Sequence, residues 1–466
     1  MISKHILENV ISKCLSKGGD FAEIYIEDTF KNSLDLVDGK IENAVSGREF
    51  GVGIRIFKDL KSVYTYTNDS SYNSLMEIAH KASCALTDSK DNYITDINLN
   101  LIERINCNIH PILYVPSSIS NTRKVNMMKN AYKASKSFSS EIVQAAVGYG
   151  DVDQKILIAN SEGLLTEDRR VRTRIYTCSI ASDGSKNQVG TESLCRSMGF
   201  EMFDSIDIEQ YAIEASKTAT TMLHARNCPA GKMTVAIESG FGGIIFHEAC
   251  GHSLEATSVA KGNSVFVGKL DQQIASTKVT AIDDGTMPNA YGSQNIDDEG
   301  NFSRKNVLIK NGILKGYLID KLNARRMNMS PTGSSRRESY KYAPTSRMTN
   351  TYIAPGDNSD EEIISSIADG LYVKKVGGGS VNPVTGNFNF AVTEGYLVKN
   401  GKIGELVNGA SLIGNGKEIL MNIDMVGKIL EHGQGTCGSS SGKVSIGIGQ
   451  PLIRVSEITV GGKKED

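Results

Sequence analysis

The sequence predicts an α+β protein dominated by antiparallel β-structure, with an N-terminal region of sheet plus helices and a glycine-rich, mainly β C-terminal domain. Three observations favour this class. Segments of alternating apolar and polar residues recur along the chain. Asp38-Gly39, Asn311-Gly312 and Asn400-Gly401 each lie between two such segments, as expected of type I′ hairpin turns. Of the 46 glycines, 34 lie at or after residue 231, which indicates tight turns and close backbone contacts there.

The length of 466 residues exceeds what one ordinary hydrophobic core accommodates, so two or three domains are expected. We predict an N-terminal α+β domain over 1–118, a central α+β domain over 119–228 and a β-rich C-terminal domain over 229–466. The second boundary lies at Pro229-Ala230-Gly231, where the glycine content rises.

In the first two domains the hydrophobic periodicity predicts antiparallel sheet flanked by helices. The predicted helices cover 3–17, 70–86, 123–137 and 208–223. The predicted strands cover 21–28, 51–57, 62–67, 141–149, 155–160 and a longer segment through 169–175, with a hairpin over 33–42. A more polar linker is expected over 87–118.

Composition excludes several classes of protein. The net charge is −2 and both signs are spread along the chain, so no clustered basic surface for nucleic acid is expected. No segment approaches the roughly 20 consecutive apolar residues of a membrane span. Residues 1–19 form an amphipathic pattern with several lysines, unlike a signal peptide, and the eight cysteines include no CxxC pair. We therefore expect a cytoplasmic protein with free thiols.

In the C-terminal domain a strand over 233–238 is expected to lead through the glycine-rich segment 239–243 into a helix with the motif His247-Glu248-Ala249-Cys250-Gly251-His252. Two imidazoles can ligate a divalent metal, and a carboxylate beside them can accept a proton from a metal-bound water. In the H-E-x-x-H signature of zinc proteases the histidines are four residues apart, on one face of a helix.

Here the histidines are five residues apart. That spacing turns His252 roughly 140° away from His247 around an ideal α-helix. We therefore predict one wider, π-type turn, with Gly251 supplying the backbone freedom for it.

A catalytic zinc usually has three protein ligands and one open position. Besides His247 and His252, the candidate third ligands are Glu255, Cys250, His432 and Cys437. Cys250 lies on another face of the helix, and free cysteines are usually buried for packing. The residues alone leave the choice open between Glu255 and the glycine-rich segment that contains Cys437.

Several segments in one order resemble the TldD branch of the TldD/PmbA family of metalloproteases. The resemblance spans nearly the whole chain and is densest after residue 238. It is carried by FHEACGHSLEA (246–256), VTAIDDGTMPNAYGSQNIDDEG (279–300), VLIKNGILKGYLIDKLNARRM (307–327), PTGSSRRESY (331–340), RMTNTYIAPG (347–356) and GTCGSSSGKVSIGIGQP (435–451). The PmbA (TldE) branch lacks the H-E-x-x-x-H residues, so this chain is more similar to the catalytic branch.

The resemblance implies a Zn²⁺ site formed by His247, His252 and Cys437, with Glu248 as the catalytic base. It also implies hydrolysis of unstructured peptides or unfolded polypeptides, and pairing with a TldE/PmbA-type partner or, where none exists, a homodimer. The alternative is a metal-stabilised subunit that binds a peptide or partner without cutting it. A structural zinc needs no acid beside its ligands, so Glu248 favours the enzyme.

Two further expectations concern the substrate. Tyr340, Arg337 and His432 are candidate donors to the oxyanion that forms during hydrolysis. An extended peptide is expected to add as a strand to an exposed sheet edge, for which segments 331–356 and 377–395 are the candidates.

Overall fold

The computed structural model describes residues 2–86, 99–382 and 385–462, and its architecture is α+β with mostly antiparallel sheets, as predicted. The helices are α1 (Lys4–Leu15), α2 (Tyr72–Ala85), α3 (Asn121–Ser137), α4 (Ile208–Leu223), α5 (Ile244–Ala249), α6 (Ala256–Val259), α7 (Lys321–Met327), α8 (Asp360–Ser365) and α9 (Gly416–Asn422).

Strands β1 to β7 belong to the N-terminal and central regions. They are β1 (Phe21–Val37), β2 (Lys40–Lys58), β3 (Lys61–Thr67), β4 (Ile102–Arg104), β5 (Ile142–Asn160), β6 (Leu164–Ser182) and β7 (Asn187–Arg196).

Strands β8 to β23 belong to the C-terminal region. They are β8 (Arg226–Asn227), β9 (Gly231–Ile237), β10 (Ala281–Asp284), β11 (Lys305–Lys310), β12 (Ile313–Leu314), β13 (Ser335–Arg336), β14 (Thr345–Ser346), β15 (Asn350–Ile353), β16 (Asp369–Val381), β17 (Asn387–Lys399), β18 (Lys402–Asn408), β19 (Ser411–Asn415), β20 (Ile423–Val426), β21 (Glu431–Ser439), β22 (Gly442–Gln450) and β23 (Ile453–Gly461).

The N-terminal and central strands form one sheet in the order β3-β2-β1-β5-β6-β4, with β7 also paired to β6. Helices α1 and α2 pack against each other, and α3 and α4 form a second pair. The helices predicted over 3–17, 70–86, 123–137 and 208–223 are confirmed to within two residues at each end. Strand β1 of the N-terminal region pairs with β5 of the central region, so backbone hydrogen bonds join the two regions into one sheet.

The separate strands predicted over 141–149 and 155–160 are wrong, because β5 runs through both without a break. The polar residues that interrupt the apolar pattern are satisfied inside the protein. Asp151 forms a buried ion pair of 3.2 Å with Lys124 on α3 and accepts a hydrogen bond of 2.7 Å from the Tyr149 hydroxyl. Similarly, the strand predicted over 51–57 and the second arm of the 33–42 hairpin form the single strand β2.

The three predicted hairpin turns are confirmed. Asp38, Asn311 and Asn400 have φ angles of 47°, 49° and 48°, and the glycines that follow have φ between 72° and 82°. Two successive residues with positive φ define the type I′ turn, whose twist matches that of the flanking strands.

The C-terminal region contains two large sheets with a helix between them. One has the order β12-β11-β10-β15-β22-β21. In the other, β16 pairs with both β9 and β17, so that β16, β9, β23, β19 and β17 close into a ring. Helix α5 contacts strands of both sheets. The largest hydrophobic core of the protein surrounds this helix.

Buried ion pairs join the N-terminal sheet to the C-terminal region. Arg55 contacts Glu23 at 3.1 Å and Glu299 at 2.6 Å. Arg337 contacts Glu23 at 2.9 Å, and Arg170 contacts Asp298 at 2.6 Å. All the side chains in these pairs are nearly inaccessible to solvent, so loss of one partner would leave an uncompensated buried charge. The network therefore favours a single arrangement of the two regions.

Part of the predicted linker, residues 87–98, lies outside the described residues. The rest contains the short strand β4 and a 3₁₀ turn at Pro116–Ser118. The domain boundaries at residues 118 and 228 stay predictions. Among the described helices, none combines the length and apolarity needed to cross a membrane.

His110 connects this linker to the C-terminal region, and its burial makes stability depend on pH. Its Nδ1 accepts a hydrogen bond of 3.0 Å from the Asn289 backbone N–H, which requires an unprotonated Nδ1. Burial, and then the nearby Arg172 and Arg170, lower the pKa of His110 from 6.5 to about 4. The unfolded chain therefore binds a proton as pH falls below 6.5, whereas the folded chain does not until about pH 4.

We expect the His110→Gln variant to lose less stability than the parent as pH falls from 6.5 to 4. The difference in unfolding free energy between the two proteins should change by roughly 3 kcal/mol over that interval. Urea unfolding at a series of pH values measures it. The exposed His224→Gln variant is the control, and parallel curves for parent and His110→Gln would contradict the assignment.

Candidate metal centre

The motif helix α5 is short and deeply placed. It follows β9 through a 3₁₀ turn at Gly240–Gly243, where the chain turns directly against β22. A Cβ on Gly243 would lie 2.5 Å from the carbonyl oxygen of Gly449, so only glycine allows this contact. The glycine-rich segment before the motif therefore brings α5 against β22, which is hydrogen-bonded to the strand that carries Cys437.

The predicted π-type turn is wrong, and a different irregularity replaces it. Helix α5 ends at Ala249, Cys250 has φ −128° and ψ −44°, and Gly251–Leu254 form a 3₁₀ turn. The Cys250 N–H still bonds to the carbonyl of Phe246 at 3.0 Å, so no turn widens. The change of direction at Cys250 displaces the next turn, which places His252 beside His247.

Gly251 was predicted to supply backbone freedom, but the structure gives a steric reason for glycine at this position. A Cβ at this position would lie 2.2 Å from the sulfur of the buried Met348. Glycine is needed here because another segment packs onto the backbone.

Three potential ligands converge at the end of α5. The ligand atoms of His247, His252 and Cys437 all lie within 4.8 Å of one another. His252 Nε2 is 3.2 Å from Cys437 Sγ, and the two imidazole rings are 5.1 Å apart at 81°. The arrangement joins residues that are 185 positions apart in sequence.

The Nδ1 atoms of both histidines form hydrogen bonds, so the Nε2 atoms are the ones available as ligands. His247 Nδ1 is hydrogen-bonded to the Thr351 hydroxyl at 3.0 Å, and His252 Nδ1 donates to Glu255 Oε2 at 3.1 Å. His247 Nε2 is buried and has no hydrogen-bond partner among the described residues. A metal ion would satisfy that atom, and such outer hydrogen bonds are typical of metal-binding imidazoles.

The other candidate ligands lie elsewhere. Glu255 contacts His252 on the Nδ1 side, and its second oxygen accepts from the Met348 N–H at 3.3 Å. The Cys250 thiol is fully buried and donates to the carbonyl of Gly416 at 3.4 Å. His432 packs edge-on against Tyr352 with ring centroids 5.4 Å apart.

Arg347 positions Cys437, and the sequence interpretation had not singled it out. Its buried guanidinium donates to the carbonyl of Cys437 at 2.7 Å and to that of Gly442 at 2.9 Å. Its Nε lies 3.8 Å from Glu255. One side chain thus links the strand that carries Cys437 to the carboxylate that orients His252.

Neither Arg347 nor Thr351 has a strong local pattern that would have revealed its role. Arg347 begins an otherwise uncharged segment, 347–356, which was a weak indication of a buried arginine. Thr351 lies on β15, where the strand packs against α5. Their contacts with the site depend on tertiary packing.

Glu248 lies at the open side of the cluster. Its side chain is 25% exposed, and Oε2 is 3.7 Å from His252 Nε2. Burial raises the pKa of Glu248 above its ordinary value. Burial also lowers the pKa of His247. For His252 burial acts to lower the pKa, but Glu255 and Cys437 outweigh it and raise the pKa well above normal.

The structure places the candidate oxyanion donors outside this cluster. Arg337 is paired with Glu23 in the buried network between the regions. Tyr340 packs against Tyr25 in a small apolar cluster nearby. His432, on β21, faces Tyr352 as described above.

The two candidate edge segments contain both paired and outer strands, so their role as an edge stays a prediction. Segment 331–356 contributes β15, which is paired on both sides, with β10 and β22. It also contributes β13 and β14, which form a two-stranded sheet with each other. Segment 377–395, of which residues 383 and 384 lie outside the described part, contributes β17, which pairs with β16 on one side and with β18 and β19 on the other. It also contributes the end of β16, which pairs there with β17 but not with β9. The outer strand beside the candidate site is β21, which carries Cys437 and is the terminal strand of its sheet.

Three family models match the chain in succession. They are the PmbA/TldA metallopeptidase domain 1 over residues 22–83, the central domain over 114–223 and the C-terminal domain over 230–462. The third match contains all three clustered ligands.

Individual proteins match over nearly their whole length. The metalloprotease TldD homolog of Haemophilus influenzae is 34% identical over 473 residues, which cover 99% of this chain and 97% of that protein. The zinc metalloprotease TldD homolog of Saccharolobus solfataricus is 28% identical over 465 residues, 97% of this chain and 99% of that protein. The crystal structure of TldE from Thermococcus kodakarensis has the same fold, with a TM-score of 0.78 at 20% identity and coverage of 98% of this chain and 100% of that one.

The contact of Gly243 with β22 predicts a specific cost of substitution. We expect Gly243→Ala to reduce the unfolding free energy by about 1–3 kcal/mol, because the new methyl group meets backbone atoms that cannot rotate away. Gly438→Ala is the matched control, since a Cβ there has nothing within 4 Å. Its stability should change by less than about 0.5 kcal/mol. Equal urea midpoints for both variants would show that the close approach does not constrain α5.

Proposed function

The chain belongs to the PmbA/TldD metallopeptidase family, and from this premise we propose that it is a zinc-dependent peptidase in which His247, His252 and Cys437 hold the metal and Glu248 is the general base. The observation that carries this proposal is the convergence of one ring nitrogen from each of two imidazoles and one thiol within 4.8 Å. Two nitrogens and one sulfur suit Zn²⁺, and three protein ligands leave one coordination position for water.

The residues present fit such an ion. His247 Nε2 is a buried atom without a partner among the described residues, and Thr351 and Glu255 hold the two rings in place. The alternative, a metal-stabilised subunit without activity, is less consistent with this arrangement because structural zinc sites usually have four protein ligands.

Zinc bound there would polarise a water molecule and the scissile carbonyl, the chemistry expected of a catalytic zinc site. Glu248 would accept the proton from that water and transfer it to the leaving amine. Its position supports this role, because the carboxylate is partly exposed next to the ligand cluster. Burial favours the protonated form of Glu248, and a carboxyl group with a raised pKa releases and accepts protons closer to neutral pH.

We propose that the substrate is an extended, unstructured peptide that adds to the outer edge of β21. This strand carries Cys437 and pairs through its described ladder with β22 alone. Backbone hydrogen bonds to an edge strand tolerate many sequences but require an unfolded chain. Folded proteins would thereby be spared.

Two further features of the proposal concern assembly and location. From the membership in the PmbA/TldD family we propose pairing with a TldE/PmbA-type partner, with a homodimer where no such partner exists. A cytoplasmic location is supported by the eight cysteines, all of which are free.

The ligand assignment predicts the zinc content of variants. Purified parent protein should contain about one zinc per chain, and His252→Ala and Cys437→Ser should each lose most of it, because outright loss of a ligand leaves too few donors. Cys250→Ala should retain the metal, since its thiol donates to the Gly416 carbonyl and is not among the clustered ligands. Atomic absorption after dialysis measures the stoichiometry. Full zinc content in Cys437→Ser, or loss in Cys250→Ala, would overturn the ligand set.

The base assignment predicts that Glu248→Gln keeps its zinc but loses activity. The expected loss in kcat is about 10²–10⁴-fold, the usual contribution of general acid–base catalysis. The assay is cleavage of an unstructured, fluorescence-quenched peptide, followed with and without a chelator.

Glu77→Gln, on the exposed surface of α2, is the control and should cleave at the parent rate. A zinc-loaded Glu248→Gln protein as fast as the parent would refute the role of Glu248. Parent protein that holds zinc but cleaves no peptide would favour the binding-subunit alternative.

A further inference from the structure

A cavity of about 680 Å³ lies between the N-terminal sheet and the C-terminal region, next to the candidate metal centre. Thr436 and Val444 are among its lining residues. Thr436 precedes Cys437 on β21, and Val444 is the partner of Cys437 across the β21–β22 ladder. A peptide that lies along β21 would therefore have this cavity beside it.

Six arginines line the cavity, and only some of them are paired with a carboxylate. Arg170 and Arg337, which line it, are paired with Asp298 and Glu23 in the buried network. Three other lining arginines form no salt bridge within the described part of the chain, and they are Arg172, Arg174 and Arg336.

The polar contacts of two of these arginines are with neutral carbonyls. Arg336 is almost fully buried and donates to the Met348 carbonyl at 2.6 Å. Arg172 donates to the Tyr291 carbonyl at 3.4 Å. Burial, and then the charge of Arg172, lower the pKa of Arg336 to about 9, although Asp298 acts in the opposite direction, so the two guanidinium groups lie close together.

A buried amide adds a further free donor. Gln294 lines the same cavity, is 1% exposed, and has no hydrogen-bond partner at Nε2 among the described residues. A buried donor without a partner is costly unless a ligand or water satisfies it. Two guanidinium groups and an amide N–H₂ are complementary to an anion with several acceptor oxygens.

The carboxylates of the cavity already have partners. Asp151 is paired with Lys124, and Glu49 with Lys31 and Lys341. Glu27 accepts hydrogen bonds from Thr29, Gln154 and the Tyr340 N–H. Glu338 accepts the Lys443 backbone N–H at 2.7 Å. None of these contacts is with Arg172 or Arg336, so the two guanidinium groups keep donors for a bound molecule.

We propose that Arg172, Arg336 and Gln294 form a subsite for a carboxylate of the peptide substrate, either its C-terminal carboxylate or an Asp or Glu side chain. This inference rests on the proposed peptidase function. It adds a substrate preference that the metal centre by itself does not provide. A carboxylate bound in the cavity beside β21 would fix the position of the peptide and so select where it is cut.

The test measures binding separately from cleavage. Fluorescent peptides of one sequence are prepared with a free C terminus, with an amidated C terminus, and with an internal Asp or Asn, and are titrated into the zinc-loaded Glu248→Gln protein by anisotropy. Mass spectrometry checks that the peptides stay intact. One carboxylate peptide should bind about 10- to 100-fold more tightly than its neutral counterpart, as charge-assisted hydrogen bonds imply.

The two peptide comparisons identify the source of the carboxylate. A difference between free and amidated ends assigns the C terminus, and a difference between Asp and Asn assigns the side chain. In Arg172→Gln the affinity of the carboxylate peptide should exceed that of its neutral counterpart by less than about 3-fold. Arg169→Gln is the matched control on the same strand, because Arg169 is exposed, pairs with Asp153 and does not line this cavity. It should keep the parent ratio.

The outcomes separate this proposal from the proposed function. Equal binding of charged and neutral peptides overturns the carboxylate subsite, even if the parent cleaves them. An unchanged ratio in Arg172→Gln also overturns it, and this variant decides the matter if Arg336→Gln does not fold. Carboxylate-dependent binding in a protein whose parent form cleaves nothing supports the subsite and refutes the peptidase mechanism instead.

Discussion

The interaction on which the candidate site depends most is the set of hydrogen bonds from the buried Arg347. Its guanidinium binds the carbonyl oxygens of Cys437 and Gly442, at the two ends of the turn between β21 and β22, and it lies beside Glu255. Because an arginine presents several donors in a fixed planar geometry, it can hold two separate segments at once. The strand with the thiol and the carboxylate that orients His252 are thereby kept in one arrangement.

Buried polar contacts also connect the site to the rest of the protein. Thr351 and Glu255 orient the imidazoles, and Arg55, Arg337 and Arg170 join the N-terminal sheet to the C-terminal region through buried carboxylates. Such groups are costly to bury unless every one is paired. Arg172 and Arg336 differ from the rest because neither forms a salt bridge within the described residues, and both line a cavity beside β21. The contrast between paired and unpaired arginines is what separates a structural contact from a candidate binding site.

Most of the secondary structure followed from local patterns. Helices α1 to α4 were predicted from apolar spacing, and the turns at Asp38, Asn311 and Asn400 from residues that tolerate positive φ. The errors occurred where tertiary contacts override the local pattern. Strand β5 continues through a polar stretch because Lys124 neutralises Asp151, which no alternation of apolar residues indicates. The motif helix bends at Cys250 instead of widening at Gly251, and Gly251 is needed to make room for Met348.

By itself, the sequence determined the α+β class, the hairpin turns and the chemistry available at His247, Glu248 and His252, because these depend on residue type and short-range spacing. It left two third ligands possible until the order of distant motifs suggested a family. Only the tertiary structure decided that Glu255 faces the Nδ1 side of His252 while Cys437 reaches Nε2. The physical reason is that the site is closed by sheet pairing and by Arg347, contacts between segments far apart in the chain, and such contacts leave no periodic pattern in the sequence.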